Sequence, residues 1–144
     1  SDVCSSDLNF VLLFILFVIG CGQSILPTAN NNILLNLHNE QREQRGLQNL
    51  ALDTYLCEYA QKHAEWMAKK STLKHSDIGV LMGKYKTAGE NIAWNQTDEA
   101  EATKDWMNSK GHRANILNKS FTKVGFGMAR NSRGQPYWCT VFGN

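Results

Sequence analysis

The chain has little proline, two residues in 144, and no apolar run long enough to cross a bilayer. Scarce proline together with 42% hydrophobic residues excludes collagen-like, low-complexity and intrinsically disordered classes. The longest apolar run, residues 10–19, has ten residues, whereas a spanning helix takes about 20. Charge of one sign is also lacking. Fifteen Lys and Arg against thirteen Asp and Glu leave +2, too little by itself to name nucleic acid or an anionic membrane as partner. The length suffices for one domain with its own core, so folding does not require a disulfide scaffold from the four cysteines. HExxH, CxxC, a Gly-rich phosphate loop, GxSxG and an ordered Ser/His/Asp set are all missing. The common hydrolases and nucleotide enzymes lose their support accordingly.

What is present begins with an export segment, residues 1–22. The run 10–19 has the length of a signal-peptide core, but no basic residue precedes it. Residues 2–8 resemble a translated sequencing adapter, so Asp2, Cys4 and Asp7 are read as an artefact. Val18, Ile19, Gly20 and Cys21 resemble a bacterial lipobox, in which Cys21 becomes a lipid anchor that holds the chain at a membrane. Ordinary cleavage near residues 20–23 and an uncleaved anchor are the alternatives. Residues 23–32 read as a polar linker and 33–144 as the domain. Beyond the export segment fifteen basic and eleven acidic residues remain, a net of +4.

Periodicity places helices first and strands last. Ile33, Leu34, Leu37 and Gln41 repeat at helical spacing, with Asn31 or Asn32 as N-cap and Gly46 as stop. Asp53 opens a second helix with Leu56, Ala60, His63, Ala64 and Met67 inward, ending near Lys70. Residues 71–88 lose the pattern and form a loop long enough to suggest function, carrying Lys74, His75 and Ser76. Residues 90–94 read as a short extended segment, and Asp98 with Glu101 as a capping-box-like start to a third helix reaching Ser109. A helical turn follows over 111–118, then strands over 123–130 and 137–142. The class is α+β, helices over a small sheet.

Three polar residues stand out by type: His75 in the long loop, Glu90 beside Gly89, and His112 at the start of the helical turn. Two imidazoles and a carboxylate suit Zn²⁺ or a similar divalent ion. Spacing alone does not unite them, since thirty-seven residues separate the histidines. Cys57, in a helical pattern, and Cys139, in a strand pattern, stay open between a disulfide and two buried thiols.

Four ordered motifs go further. They are His38-Asn39-Glu40-Gln41-Arg42; Gly89-Glu90-Asn91-Ile92-Ala93; Trp106-Met107-Asn108-Ser109 with Gly111-His112-Arg113-Ala114-Asn115-Ile116-Leu117; and Tyr137-Trp138 with Phe142-Gly143. Together they resemble the CAP superfamily of cysteine-rich secretory proteins, antigen 5 and pathogenesis-related 1 proteins, also called SCP-like domains. The small size and few cysteines look most like its bacterial branch. The resemblance implies an α-β-α sandwich with about three antiparallel strands, secretion, and a cleft with two His and two Glu whose histidines bind a divalent metal. His75, Glu90 and His112 match three of those positions. At the fourth this chain has Ser109, and Asp105, one turn earlier, is the nearest substitute carboxylate. Glu90 would hydrogen-bond a bound water or orient an imidazole, with Asp105, Ser109 and Asn115 along the cleft.

Other residues have plainer readings. His38, Asn39 and Arg42 suit a structural hydrogen-bond network, His63 a packed and satisfied ring, and Arg113 with Asn115 the fixing of loop geometry. Trp66, Trp94, Trp106 and Trp138 read as core or cleft-wall packing, and Lys69, Lys70, Lys74, Lys84 and Lys86 as a solvated face. The function expected is a secreted or surface-anchored ligand or interaction module, at the cell surface or in the periplasm, with a lipid, sterol or protein partner. The alternative is a metal-dependent hydrolase of protease or nuclease type, with Glu90 as base. A purely structural role needs only the fold.

Overall fold

The structure, a computed structural model, describes residues 28–144. The export segment, Cys21 and residues 2–8 lie outside the described residues. Helix α1 (Asn31–Glu43) is capped by Asn30, whose side chain accepts from the Ile33 amide at 3.2 Å. The cap thus falls just before Asn31 and Asn32, because the Asn30 amide is itself held by Glu99 at 2.8 Å and Ala29 is buried. The end of the linker therefore packs on the domain. Gly46, at φ +67°, turns the chain after α1.

Helix α2 (Thr54–Lys70) starts as the sequence predicts, with the Asp53 side chain accepting from the Leu56 amide at 3.1 Å. Leu56, Ala60, Ala64 and Met67 are fully buried on its inner face. Helices α3 (Glu99–Asn108) and α4 (Lys110–Ile116) meet at Ser109, which is half-buried and whose side chain makes no capping bond to α4. Among the described residues no helix is long and apolar enough to cross a membrane.

The strands are β1 (Ala51–Leu52), β2 (Ala88–Trp94), β3 (Lys123–Arg130) and β4 (Pro136–Gly143), in the order β1-β3-β4-β2. The last three form the expected antiparallel sheet. The short β1 adds a fourth strand, parallel to β3, so the sheet is mixed. Two residues are too few for an alternation to show in sequence.

Helices cover both faces of the sheet. Alternate side chains of β4 serve two cores. Tyr137, Cys139 and Val141 join Leu56, Ala60 and Met67 of α2 on one face. Trp138 and Phe142 join Leu34, Trp106 and Ile116 of the other three helices on the opposite face. The contact of α2 with β3 is unusually close. A Cβ on Gly125 would lie 2.1 Å from the Leu56 carbonyl carbon, and one on Gly127 2.4 Å from that of Ala60.

Arg42 is buried in α1 and donates to the carbonyls of Gln48, Ile116, Asn118 and Phe121. Asn39 bridges both backbone groups of Leu50. These bonds pin α1 to the segment before β1 and to the end of α4 and the chain after it, the structural network expected of that motif. Of the four tryptophans only Trp106 and Trp138 are core; Trp66 and Trp94 are exposed.

Candidate functional site

Strand β2 is an edge of the sheet, so side chains from both faces can meet around it. Glu90 points to the face of α2, beneath residues 75–77, while Asn91 points towards α4. Asn91 donates to the His112 carbonyl at 3.0 Å, and Asn115 donates to the Asn91 side chain at 2.9 Å and to the Glu90 carbonyl at 3.1 Å. Asn115 thereby ties α4 to β2 and brings His112 to the edge. Arg113, bonded to the Met107 carbonyl at 2.8 Å, fixes the turn between α3 and α4.

The Glu90 side chain is only 2% exposed, yet its carboxylate is fully partnered. Oε1 accepts from the Ser76 amide at 3.0 Å and stands 2.7 Å from Nδ1 of His75. Oε2 accepts from the Ser76 hydroxyl, and the Cys139 thiol donates to it at 3.7 Å. Carboxylate oxygens only accept, so Nδ1 of His75 is a donor, and in the neutral ring Nε2 is the nitrogen that keeps its lone pair. The His75 side chain is 62% exposed. One imidazole nitrogen is therefore presented to solvent in a fixed tautomer.

His112 is half-buried, and its pKa is lowered first by that burial and then by the charge of His75. The two rings thus act on each other electrostatically across the strand edge. Cys139, buried beneath Glu90, has its thiol pKa raised by burial and by the carboxylate, which keeps it protonated and a donor.

Of the residues expected in the site, His75, Glu90, His112 and Asn115 come together. Asp105 does not: its carboxylate accepts from Gln96 at 2.9 Å, past the far end of β2. Four strand residues, about 13 Å, separate Glu90 from that end. Cys57 and Cys139 are both free, so of the two readings left open the structure has two thiols, Cys139 buried and Cys57 half-buried. Cys57 follows the inward Leu56 on α2 and is turned to Asn31, which donates to its sulfur at 3.6 Å. Cys139 faces Glu90 instead. Sequence reading missed Ser76, which gives the carboxylate two bonds, and Cys139 in this role. Adjacency to His75 was the available sign for Ser76.

Among the described residues no group of three or more His, Cys, Asp and Glu is arranged to hold a metal ion. Glu90 is turned onto His75 rather than beside it as a ligand. What remains at the strand edge is two imidazoles, His75 with a carboxylate behind its ring and His112 half-buried.

Two concavities flank His75 and Ser76. One of about 290 Å³ is lined also by Ile78, Gly89, Glu90 and Asn115. The other, about 620 Å³, runs along α2 past Tyr59, His63, Trp66 and Lys74. His63 is satisfied there, its Nε2 lying 2.7 Å from the Lys74 carbonyl and its ring stacked on Trp66.

Comparison with known proteins agrees with this architecture. The model of the cysteine-rich secretory protein family, CAP, matches residues 35–142. The protein YkwD of Bacillus subtilis is 40% identical over 113 residues, 72% of this chain and 44% of its own length. Among solved structures, an extracellular protein of Bacillus anthracis containing an SCP domain is 27% identical with a TM-score of 0.69, over 80% of this chain and 40% of that one. An outer surface protein of Borrelia burgdorferi shares the fold at 20% identity, with a TM-score of 0.70 over 78% of this chain and 90% of that one. The chain spans less than half the length of the first curated relatives it matches. From residue 35 to 142 it belongs to the cysteine-rich secretory protein (CAP) family.

Proposed function

We propose that this chain is an extracellular CAP-domain interaction module, whose cleft at the β2 edge binds a ligand and takes a divalent cation weakly through His75 and His112. One observation carries the reading: every acceptor direction of Glu90 is already used within the protein. A general base must reach the proton it removes. Glu90 is covered and its donors would have to leave first, so its role is to aim His75. That favours binding over the hydrolase alternative.

His75 and His112 would hold the cation, which when bound supplies a positive charge for a carboxylate, phosphate or carbonyl group of the ligand. With two protein donors and the remaining positions left to water, affinity is low. The neighbouring groove, about 620 Å³ with Tyr59 and Trp66 in its wall, is of the size that takes small molecules, roughly 300–1,000 Å³. A lipid, sterol or apolar peptide segment suits those walls. The extracellular name of the Bacillus anthracis relative supports export, and the lipobox-like residues before Cys21 support a lipid anchor.

Calorimetric titration of Zn²⁺ tests the site. The wild-type chain should give a weak saturable isotherm that disappears in the His75→Ala/His112→Ala double variant. Identical isotherms for the two proteins would remove the cation from the proposal.

A further inference from the structure

Apolar exposure and positive charge concentrate in one stretch of this chain. Val80 at 61%, Met82 at 51% and Leu73 at 48% are the three most exposed large apolar side chains among the described residues, and all fall within ten residues. Trp66, 42% exposed, lies just before them on α2. Residues 62–86 carry six lysines against Glu65 and Asp77, a net of +4. Residues 28–144 hold fifteen basic and eleven acidic side chains, so this stretch accounts for their entire excess.

The local structure holds the apolar tip outward. Asp77 caps the 3-10 turn Ile78–Leu81 by accepting from the Gly79 amide at 3.0 Å. Leu81 is fully buried and Tyr85 nearly so, which anchors the turn and leaves Val80 and Met82 on either side of Leu81 facing water. Both acids of the stretch are engaged locally, Asp77 with Gly79 and Glu65 with the Gln61 amide at 2.9 Å. The six lysines are spread along this stretch with little opposing charge, Lys84 lying 4.1 Å over the Tyr55 ring.

We infer that residues 66–86 form a docking face for an anionic phospholipid bilayer, with Val80 and Met82 entering the interface and Lys74 and Lys86 meeting the headgroups. An exposed apolar turn within a stretch of net positive charge is the pattern of interfacial membrane contact. Exposed Trp66 suits the headgroup level, and lysine stems lie along apolar surface while their ammonium groups stay wet. A soluble polyanion would use the lysines and have no use for Val80 and Met82. The face shares Trp66 and Lys74 with the groove beside His75, but the inference requires neither a ligand nor a cation there.

Hydrogen exchange of the full chain, read by mass spectrometry on vesicles of phosphatidylcholine with or without 30% phosphatidylglycerol, is the test. Every variant keeps the same N-terminal segment, so differences belong to the face. Exchange over residues 78–86 should slow several-fold on phosphatidylglycerol vesicles and not on pure phosphatidylcholine. The slowing should be lost both in Lys74→Glu/Lys86→Glu and in Val80→Ser/Met82→Ser, with β3 and β4 exchange unchanged as proof of folding. Equal exchange of the wild-type chain on the two vesicle types would overturn the inference. So would slowing that polyglutamate reproduces and that Val80→Ser/Met82→Ser leaves intact, which would assign the lysines to a soluble polyanion.

Discussion

Glu90 Oε1 stands 2.7 Å from Nδ1 of His75, a buried carboxylate setting the tautomer of an exposed ring. Ser76 and Cys139 complete its shell, so four donors converge on one side chain. Glu90→Gln places an amide NH₂ against at least one of them. The variant should lose roughly 1–3 kcal/mol in urea denaturation, the usual result of leaving a buried polar group unpaired. A change within error of zero would mean that the shell is not formed in solution.

His112 should titrate below an ordinary histidine. Burial first, and the charge of His75 second, hold His112 below the ordinary histidine value of 6.5. NMR titration of the imidazole should show it, and His75→Gln should restore only the smaller part of the shift. Full restoration would show that charge, not burial, governs His112.

Acid should weaken the fold through His38. Its Nδ1 lies 2.8 Å from the Leu34 carbonyl, its Nε2 is buried without a partner, and Trp106 and Phe126 approach it edge-on. Burial, with a smaller contribution from Arg42, lowers its pKa to about 4. As pH falls below 6.5 the unfolded chain takes up a proton that the folded chain refuses until about 4. Stability from this group is therefore full above 6.5 and drains between 6.5 and 4. The size is on the order of 3 kcal/mol. Between pH 7 and pH 4 the denaturation midpoint of wild type should fall relative to that of His38→Leu, which lacks this slope; parallel curves would contradict the assignment.

The seat of α2 on β3 leaves no room at Gly125. An added Cβ meets backbone atoms of Leu56 and Cys57 at 2.1 and 2.2 Å, which cannot swing aside as a flexible side chain can. Gly125→Ala should reach or exceed the top of the roughly 1–3 kcal/mol range of overpacked cores. Thermal melts of Gly125→Ala and of Gly83→Ala, where the added carbon meets nothing within 4 Å, make the comparison.

Much of this was legible in the chain because it rests on local rules. Asp53 and Asp98 cap their helices, Leu56, Ala60, Ala64 and Met67 face inward, and the last two strands alternate as their sequence predicts. Strand β1 was not legible, because two residues pairing with β3 leave no periodic trace. The site was legible by type in His75, Glu90 and His112. Its wiring was not: Ser76, Asn91, Asn115 and Cys139 act there through pairings across 14 to 49 residues of sequence. Asp105 looked well spaced on its helix, yet its bond to Gln96 depends on where β2 ends. Trp66 and Trp94 show the same limit, since an apolar residue on a surface face reads like one in a core.

The central claim is that Glu90 positions His75 while the imidazoles of His75 and His112 do the binding. A crystal soaked in Zn²⁺ tests it most directly. The account predicts an ion on Nε2 of His75 and on His112, with Glu90 still hydrogen-bonded to Nδ1 of His75. An ion ligated by the Glu90 carboxylate, or none at either histidine at saturating Zn²⁺, would contradict it.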